Sequence, residues 1–428
     1  MNLGSPRTAR NQQHHQQQQS NGRHIAIANA LQNIGDQTAS AKTVLPWLFT
    51  AAGVPAAFSG LLVPVRESLA MLPQAALRGW VTSQGSRKRI WLLGSLGQAL
   101  CAALMAIAAL VLTGTSLGVA IVALLACLAI FRSLCSLSGK DVLGRAVSKG
   151  QRGAVTGTAT TLSGIVTIAV GGVLLFVPSP IPVWVGAVLI GIGALGWCVA
   201  ALSFARVDEN LSTRPAKNAA QSALPSTTLP WYSDTWQLLL NDAHFRQFVI
   251  VRSLLLVSSF STAFIVTLSA RNDSSFADLG AFVFVSGLSA LLAGRISGIW
   301  SDRSSKTVMS VAAGTASLVL LLLVASSLTL PPGWNSVLFP LGFFLVSLSH
   351  AAIRVARSTY LVDMAENDQR TRYTGAANTL MGVILLGVGA LSSVIALQGP
   401  AWALVFLALI GFVGVWAARK LPEVSQGS

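Results

Sequence analysis

Two carboxylates lie deep inside long apolar stretches of the chain, at Asp36 and Glu67. A charged side chain at the centre of a bilayer costs at least about 2.5–3.5 kcal/mol to insert, and such residues usually have a function. A carboxylate removed from water must be neutralised by a proton or by a cationic partner. Each of these acids can therefore bind and release protons, or it can hold a salt bridge.

Five basic residues share these apolar stretches and outnumber the acids: Lys42, Arg66, Arg132, Arg252 and Arg354. Because Arg66 points about 100° away from Glu67 on a helix, we expect Arg132 to be the partner of Glu67. Two interpretations stay open. The acids couple to protons in a cavity with a basic lining, or Asp36 or Glu67 forms a structural salt bridge with Arg66 or Arg132. The basic excess favours an anionic or zwitterionic ligand for such a cavity.

Uncharged polar residues recur at helical spacing beside these charges. Asn29 and Asn33 precede Asp36 on one helix face, and Ser347, His350, Arg354 and Arg357 share another. We predict a substrate and proton pathway formed by Asn29, Asn33, Asp36, Arg66, Glu67, Arg132, His350 and Arg354. A further stripe comprises Thr156, Thr160, Ser163 and Thr167. For these hydroxyl groups, hydrogen bonds between helices are the simpler interpretation.

The composition indicates the kind of elements that must position these groups. The chain has 428 residues, of which 53% are hydrophobic and 10% charged, with a mean hydropathy of +0.65. A soluble domain carries about 25% charged residues, so a soluble protein of this length is excluded. The net charge of +15 would suggest nucleic acid in a soluble chain. Here basic cytoplasmic loops are the simpler explanation, and no nucleic-acid partner is expected.

Catalytic and cofactor signatures are absent from the sequence. The four cysteines fall inside apolar blocks without the spacing of metal ligands, so no metal site is predicted. No nucleotide-binding glycine loop or nucleophile elbow occurs either. We therefore predict a protein that is not an enzyme, that binds no cofactor and that draws energy from an ion gradient.

Apolar blocks of about 20 residues alternate with short basic segments, as in polytopic helical membrane proteins. The sequence predicts an all-α protein with twelve transmembrane helices at 25–49, 55–81, 90–112, 116–140, 153–176, 181–205, 244–269, 276–300, 308–329, 335–362, 373–397 and 400–419. On one side the connections carry 23 basic residues, and on the other side only Arg271. This bias predicts that both termini are cytoplasmic, because basic loops stay on that side.

The chain repeats itself at an offset of 218 residues, since 148–164 matches 366–382 at eight of seventeen positions. This repeat predicts two pseudo-symmetric six-helix bundles, at 24–205 and 244–420. A cytoplasmic linker at 206–243 would join them. The Gln/His-rich segment 1–23 is expected to be a disordered cytoplasmic tail, and 421–428 a second tail.

A motif between the eighth and ninth predicted helices resembles the signature of the major facilitator superfamily. It comprises Gly298, Asp302, Arg303 and Lys306, with Ser305 in place of the second glycine of the family. The resemblance covers roughly residues 24–420 and implies a gating role for these four residues. The corresponding first-half loop departs from the pattern, because Gln84 and Gly85 stand where Asp and Arg are expected.

The resemblance implies a secondary transporter that moves a small organic solute by alternating access, driven by protons. Its expected partners are that solute, protons and the lipid bilayer, and a monomer is expected. The expected location is a bacterial-type inner (plasma) membrane. Two alternatives remain: efflux of amphipathic compounds by proton antiport, and a membrane receptor or scaffold of the same fold that transports nothing.

Overall fold

The computed structural model describes residues 6–84, 86–147, 152–176, 182–208, 231–255, 257–271, 277–301, 304–364 and 369–422. The helices of the first half are α1 Pro6–Thr38, α2 Val44–Ala51, α3 Ala56–Ser83, α4 Arg87–Val111, α5 Gly114–Ala146, α6 Arg152–Leu175 and α7 Val183–Ala205. Those that follow are α8 Trp231–Asn241, α9 Ala243–Leu254, α10 Val257–Arg271, α11 Ala277–Ser301, α12 Ser305–Thr329, α13 Pro332–Met364, α14 Gln369–Ile395 and α15 Pro400–Arg419. A 3-10 turn, Ala396–Gln398, precedes α15.

Many of these helices can cross a membrane. Within the described residues, eight are long and apolar enough to do so, and Thr161–Leu175 and Leu279–Leu292 are shorter apolar helices. The two other predicted spans, 25–49 and 55–81, contain the polar and charged residues singled out above. The all-helical character and the apolar helices identify a multi-pass membrane protein.

Helix α4 illustrates why these helices need a lipid environment. Its exposed face is an apolar stripe at helical spacing: Leu93, Leu96, Leu100, Leu104 and Ile107. Its opposite face packs inside the protein and buries Ser95 and Gln98 completely. This pattern is the reverse of a soluble amphipathic helix, whose apolar face lies inside. Lipid chains are the medium that makes the exposed leucine stripe stable.

The first predicted span is not one continuous helix. Helix α1 ends at Thr38 and α2 begins at Val44, so the predicted helix 25–49 is interrupted. The Oγ atom of Ser40 accepts a hydrogen bond from the backbone N–H of Lys42 at 3.2 Å. Such local side-chain bonds compete with the helical ladder and favour an interruption. The break puts Lys42 between two helices.

Helix α1 also extends further towards the N-terminus than predicted. Residues 1–23 were expected to be disordered, whereas α1 begins at Pro6. Asn21 donates to the backbone carbonyl of Asp208 at 3.0 Å and accepts from its backbone N–H at 3.0 Å. Gln17 donates to the carboxylate of Asp208 at 2.7 Å. These bonds attach the polar segment to the residues that follow α7.

The internal repeat is visible in the helix boundaries. Adding 218 to the bounds of α4 gives those of α12, and adding 218 to the bounds of α5 gives those of α13. Ser86 and Ser304, also 218 apart, cap α4 and α12 by accepting from the backbone N–H three residues later. A helix boundary also lies near the counterpart of the break after Thr38, since α9 ends at Leu254. The predicted linker 206–243 is partly helical, because α8 lies within it.

Two glycines of α6 bring the halves into close contact. A Cβ atom at Gly164 would lie 2.6 Å from Leu291 of α11, and one at Gly171 would collide with the backbone of Phe284. Small residues allow such close helix approach in membranes. Gly164 and Gly171 therefore serve close helix packing. A Cβ atom at Gly172, in contrast, would meet nothing within 4 Å.

The matching pair of glycines lies on α14 and contacts α3. A Cβ atom at Gly382 would lie 2.5 Å from Leu72, and one at Gly389 would collide with the ring of Pro64. Each of these glycines lies 218 residues after one of the two glycines of α6. The two halves thus meet through two interfaces that are related by the internal repeat.

Candidate functional site

Asp36 sits between two arginines in the middle of the first half. Its Oδ1 atom lies 2.5 Å from Nη2 of Arg66 on α3, and its Oδ2 atom lies 2.7 Å from Nη2 of Arg132 on α5. The three side chains are 16–27% exposed. Each carboxylate oxygen therefore has its own cation, and three helices are joined by charge-assisted bonds.

This arrangement corrects one expectation from the sequence. Arg132 was expected to pair with Glu67, but it pairs with Asp36. Arg66, next to Glu67 in the chain, is also a partner of Asp36. The structural salt bridge that was one of the two interpretations is therefore present at Asp36.

Arg132 continues into a buried network of uncharged polar groups. Its Nη1 atom donates to Oε1 of Gln32 at 2.7 Å, and Nε2 of Gln32 donates to Oγ of Ser95 at 3.1 Å. Ser95 in turn donates to the carbonyl of Trp197 on α7 at 2.8 Å. Gln98 contributes a 3.4 Å bond to Gln32. The charged triad is thereby linked to α4 and α7, which makes it a rigid part of the first half.

Glu67, unlike Asp36, has no paired arginine among the described residues. It is half-buried on α3, and no hydrogen bond or ion pair joins its carboxylate to another side chain in the described part of the chain. The charge that acts on it most strongly is Lys42, followed by Arg66, Arg354 and Arg357. Glu67 therefore faces a basic cluster without being tied to any one member of it.

The second half supplies its share of this cluster from α13. His350, Arg354 and Arg357 lie three to four residues apart and so share one face of the helix. Lys42, Arg354 and Arg357 all act electrostatically on His350. Arg354 is exposed, and His350 and Arg357 are half-buried. His350 and Arg354 therefore share one face of α13, as their spacing predicts, and Lys42 of the other half is near enough to act electrostatically on His350.

Arg252 adds a further cation on α9 of the second half. It is 8% exposed, and its Nη2 atom donates to Oδ1 of Asn378 on α14 at 2.9 Å. Its Nε atom is buried and has no hydrogen-bond partner among the described residues. Arg357 is the charge that acts on it. Asn378 was missed by the sequence analysis, although a polar residue between apolar neighbours in a predicted span was a usable signal.

The remaining predicted polar residues lie on α1 and α6. Asn29 and Asn33 are half-buried on α1, on the same face as Asp36 and closer to the N-terminus. Thr167 donates to the carbonyl of Ser163 within α6, as expected for a structural hydroxyl. The side chains of Thr156 and Thr160 are outside the described residues.

The predicted gating motif is only partly described. Asp302 and Arg303 lie outside the described residues, and the surroundings of Gly298 do too. Lys306 lies in the first turn of α12. In the first half, Arg87 at the start of α4 donates to the carbonyl of Val81 in the last turn of α3 and to that of Gln84 just after it. A basic residue thus satisfies carbonyls at a helix end.

Comparison with known proteins agrees with this architecture. No curated protein sequence matches the chain. Among solved structures, a D-xylose–proton symporter matches with a TM-score of 0.71 and 12% identity, covering 95% of this chain and 99% of that one. The nucleoside transporter NupG, in a mutant form, matches with a TM-score of 0.70 and 14% identity, covering 94% and 99%. The inward-open xylose transporter XylE from E. coli matches with a TM-score of 0.67 and 11% identity, covering 94% and 96%.

These structural similarities show the fold, and a match to a family model identifies the protein family. The model described as Major Facilitator Superfamily matches residues 25–383, which is most of the chain. It covers the first half from α1, most of the second half and the charged groups described above. The chain belongs to the Major Facilitator Superfamily.

Proposed function

We propose that the protein is a secondary active transporter that moves a small organic solute by alternating access and couples this movement to protons at Glu67. In this proposal the chain crosses a bacterial-type inner membrane twelve times as a monomer, with both termini in the cytoplasm. The similar folds of a D-xylose–proton symporter and a nucleoside transporter support secondary transport.

The contrast between the two carboxylates is the observation that carries the assignment to Glu67. Asp36 already has a cation on each oxygen at 2.5 and 2.7 Å. A proton would have to displace one of these arginines. Glu67 has no such partner among the described residues, and cations of both halves act on it. Any relative movement of the halves therefore changes its electrostatic environment, and a proton site of this kind can load in one state and unload in the other.

Contacts between the halves support alternation. Near Gly60 of α3, a Cβ atom would lie 2.5 Å from Oγ of Ser393 on α14 and 2.7 Å from Phe264 on α10. These contacts lie at the helix ends away from the N-terminal segment of α1. The charged cluster lies further along the helices, towards that segment. Close packing of this kind between the halves is what a carrier needs in order to close one side at a time.

The experiment uses purified protein in liposomes that contain a pH-sensitive dye. A panel of monocarboxylates, dicarboxylates, amino acids, sugars and sugar phosphates is added outside, and the internal pH is recorded. We expect at least one solute to change the internal pH with the wild type. Glu67→Gln should abolish this change but retain exchange of the same labelled solute, because the glutamine mimics a protonated carboxylate.

Asp242→Asn provides the matched control. It also removes one negative charge, but Asp242 caps α9 by accepting from the N–H of Phe245, a role that asparagine fills equally well. This variant should keep the coupled pH change. If Glu67→Gln keeps it too, coupling lies elsewhere, and Asp36 or His350 becomes the candidate. If Glu67→Gln fails to fold and Lys42→Met restores folding, Glu67 has a structural role.

A further inference from the structure

The described charges within the spans are strongly unbalanced. Away from the span ends they comprise two carboxylates, Asp36 and Glu67, and six cations, Lys42, Arg66, Arg132, Arg252, Arg354 and Arg357. The triad of Asp36, Arg66 and Arg132 is internally paired, although it retains one excess positive charge. The remaining cations share one carboxylate, that of Glu67. Bringing uncompensated cations together away from bulk water is unfavourable, so this cluster lacks a negative partner.

We propose that this missing partner is the solute, and that the solute is a small organic anion bound between Lys42 of the first half and Arg354 and Arg357 of the second. This proposal rests on the proposed function, since it names the chemical class of the transported solute. It extends the function by assigning the binding groups.

The placement of Arg354 and Arg357 suits an anion with several oxygen atoms. Arg354 and Arg357 lie three residues apart on α13, so their guanidinium groups project from one face. A guanidinium group binds a carboxylate or phosphate through two parallel N–H bonds. Neither arginine is tied to a carboxylate among the described residues. Their donors are therefore available to a ligand, and the exposure of Arg354 gives a solute access to it.

Arg252 supports the same conclusion from behind this pair. It is nine-tenths buried, its Nε donor has no partner in the part of the chain that the structure describes, and Arg357 is the charge that acts on it. Arg252 therefore adds a further positive charge in the second half, with an Nε donor that no described residue accepts from. An anion held by Arg357 would be stabilised by the field of Arg252 as well.

The carboxylate of Glu67 would compete with a bound anion for the cations of this site. Lys42 is the strongest electrostatic neighbour of Glu67, while Arg354 and Arg357 act on both residues. A solute anion that enters the cluster therefore competes with the Glu67 carboxylate for the same cations. It follows that removal of the charge of Glu67 should strengthen anion binding, whereas it would weaken the binding of a cationic solute.

Binding is measured directly by calorimetry on purified protein in nanodiscs of zwitterionic lipid, without any gradient. The probes are succinate, inorganic phosphate and glycerol phosphate, with glucose as the neutral probe and choline as the cationic one. We expect an anion to bind and the neutral and cationic probes not to bind. Lys42→Gln, Arg354→Gln and Arg357→Gln should each weaken anion binding about 10- to 100-fold, the loss typical of one charge-assisted contact.

Three further variants make the result unambiguous. Glu67→Gln should bind the anion more tightly, by about tenfold for one removed repulsive charge. Arg354→Lys keeps the charge but loses the paired N–H donors, so it should fold and bind the anion more weakly than the wild type but more tightly than Arg354→Gln. Arg419→Gln removes a cation at the exposed end of α15, and its affinity should equal that of the wild type.

The outcomes separate the possible failures. If glucose or choline binds instead of an anion, the proposal for the solute class is wrong while the proposed transport can still hold. If an anion binds but no gradient drives its accumulation in liposomes, the transport proposal is wrong and the site stands. Loss of binding when phosphatidylglycerol is added to the nanodiscs would mean that a lipid headgroup occupies the cluster, which would overturn the solute assignment.

Discussion

Asp36→Asn is expected to destabilise the protein, because it leaves Arg66 and Arg132 without their shared carboxylate. Both contacts are short, at 2.5 and 2.7 Å, so a neutral amide cannot replace them. Removing one partner of a fully buried ion pair costs about 3–5 kcal/mol. The three side chains keep 16–27% of their exposure, and this solvent access reduces the loss. We therefore expect a loss of about 2–4 kcal/mol in the free energy of unfolding.

The assay is thermal unfolding of purified protein followed by tryptophan fluorescence. For a cooperative unit of the size of one six-helix half, this loss corresponds to a decrease in Tm of roughly 5–10 °C. Glu67→Gln removes a carboxylate that has no hydrogen-bond partner among the described residues, so its Tm should change by less than about 2 °C. The pair of variants compares two acids of the first half that have different surroundings.

A double-mutant cycle sharpens this test. In the Asp36→Asn background, Arg132→Gln removes one of the two stranded cations, so the second substitution should cost less than it does alone. Additive losses would show that Asp36 and Arg132 do not interact. An unchanged Tm for Asp36→Asn, or a larger loss for Glu67→Gln, would refute the assignment of the structural role to Asp36.

The other predictions concern contacts and topology. Gly171→Ala should reduce transport more than tenfold with little loss of folded protein, because its Cβ atom would collide with the backbone of α11, whereas Gly172→Ala should transport normally. Arg252→Gln should lower the Tm by a few degrees, because it breaks a buried bond across two helices of the second half, and wild-type stability would contradict this role. Asn21→Ala should speed proteolysis of the N-terminal segment, and equal cleavage rates would argue against its attachment to α7. A reporter fused after residue 225 should be active in the cytoplasm, and periplasmic activity there would contradict the twelve-span topology.

The sequence was sufficient to predict the repeat but insufficient for the pairing of charges. The offset of 218 residues followed from identities in one short segment, and the matching bounds of the helices confirm it. The repeat could be predicted because the length and position of the helices depend on apolar blocks, which can be recognised in the sequence. The polar span containing Asp36 was recognised only by comparison with its clearer counterpart in the second half.

The pairing of Asp36 with Arg66 and Arg132 depends on how helices rotate about their axes when they pack. Sequence spacing gives the faces of one helix but not which faces of three helices meet. The expectation that Arg132 binds Glu67 was wrong for this reason. The interruption after Thr38 was also missed, because Ser40 and Thr43 have no apolar periodicity and signal a break only through local hydrogen bonds.

The paired glycines of α6 and α14 have a consequence for the ancestry of the fold. If each half stood alone as a six-helix chain, Gly164 and Gly382 would be the same residue, and so would Gly171 and Gly389. Two copies of that chain would meet through two identical interfaces related by a two-fold axis, which is how symmetric homodimers close. A substitution there would then damage both interfaces at once. Fusion into one chain releases this constraint and lets the two walls of the cavity diverge, so that one can hold both acids while the other holds cations alone within the described spans.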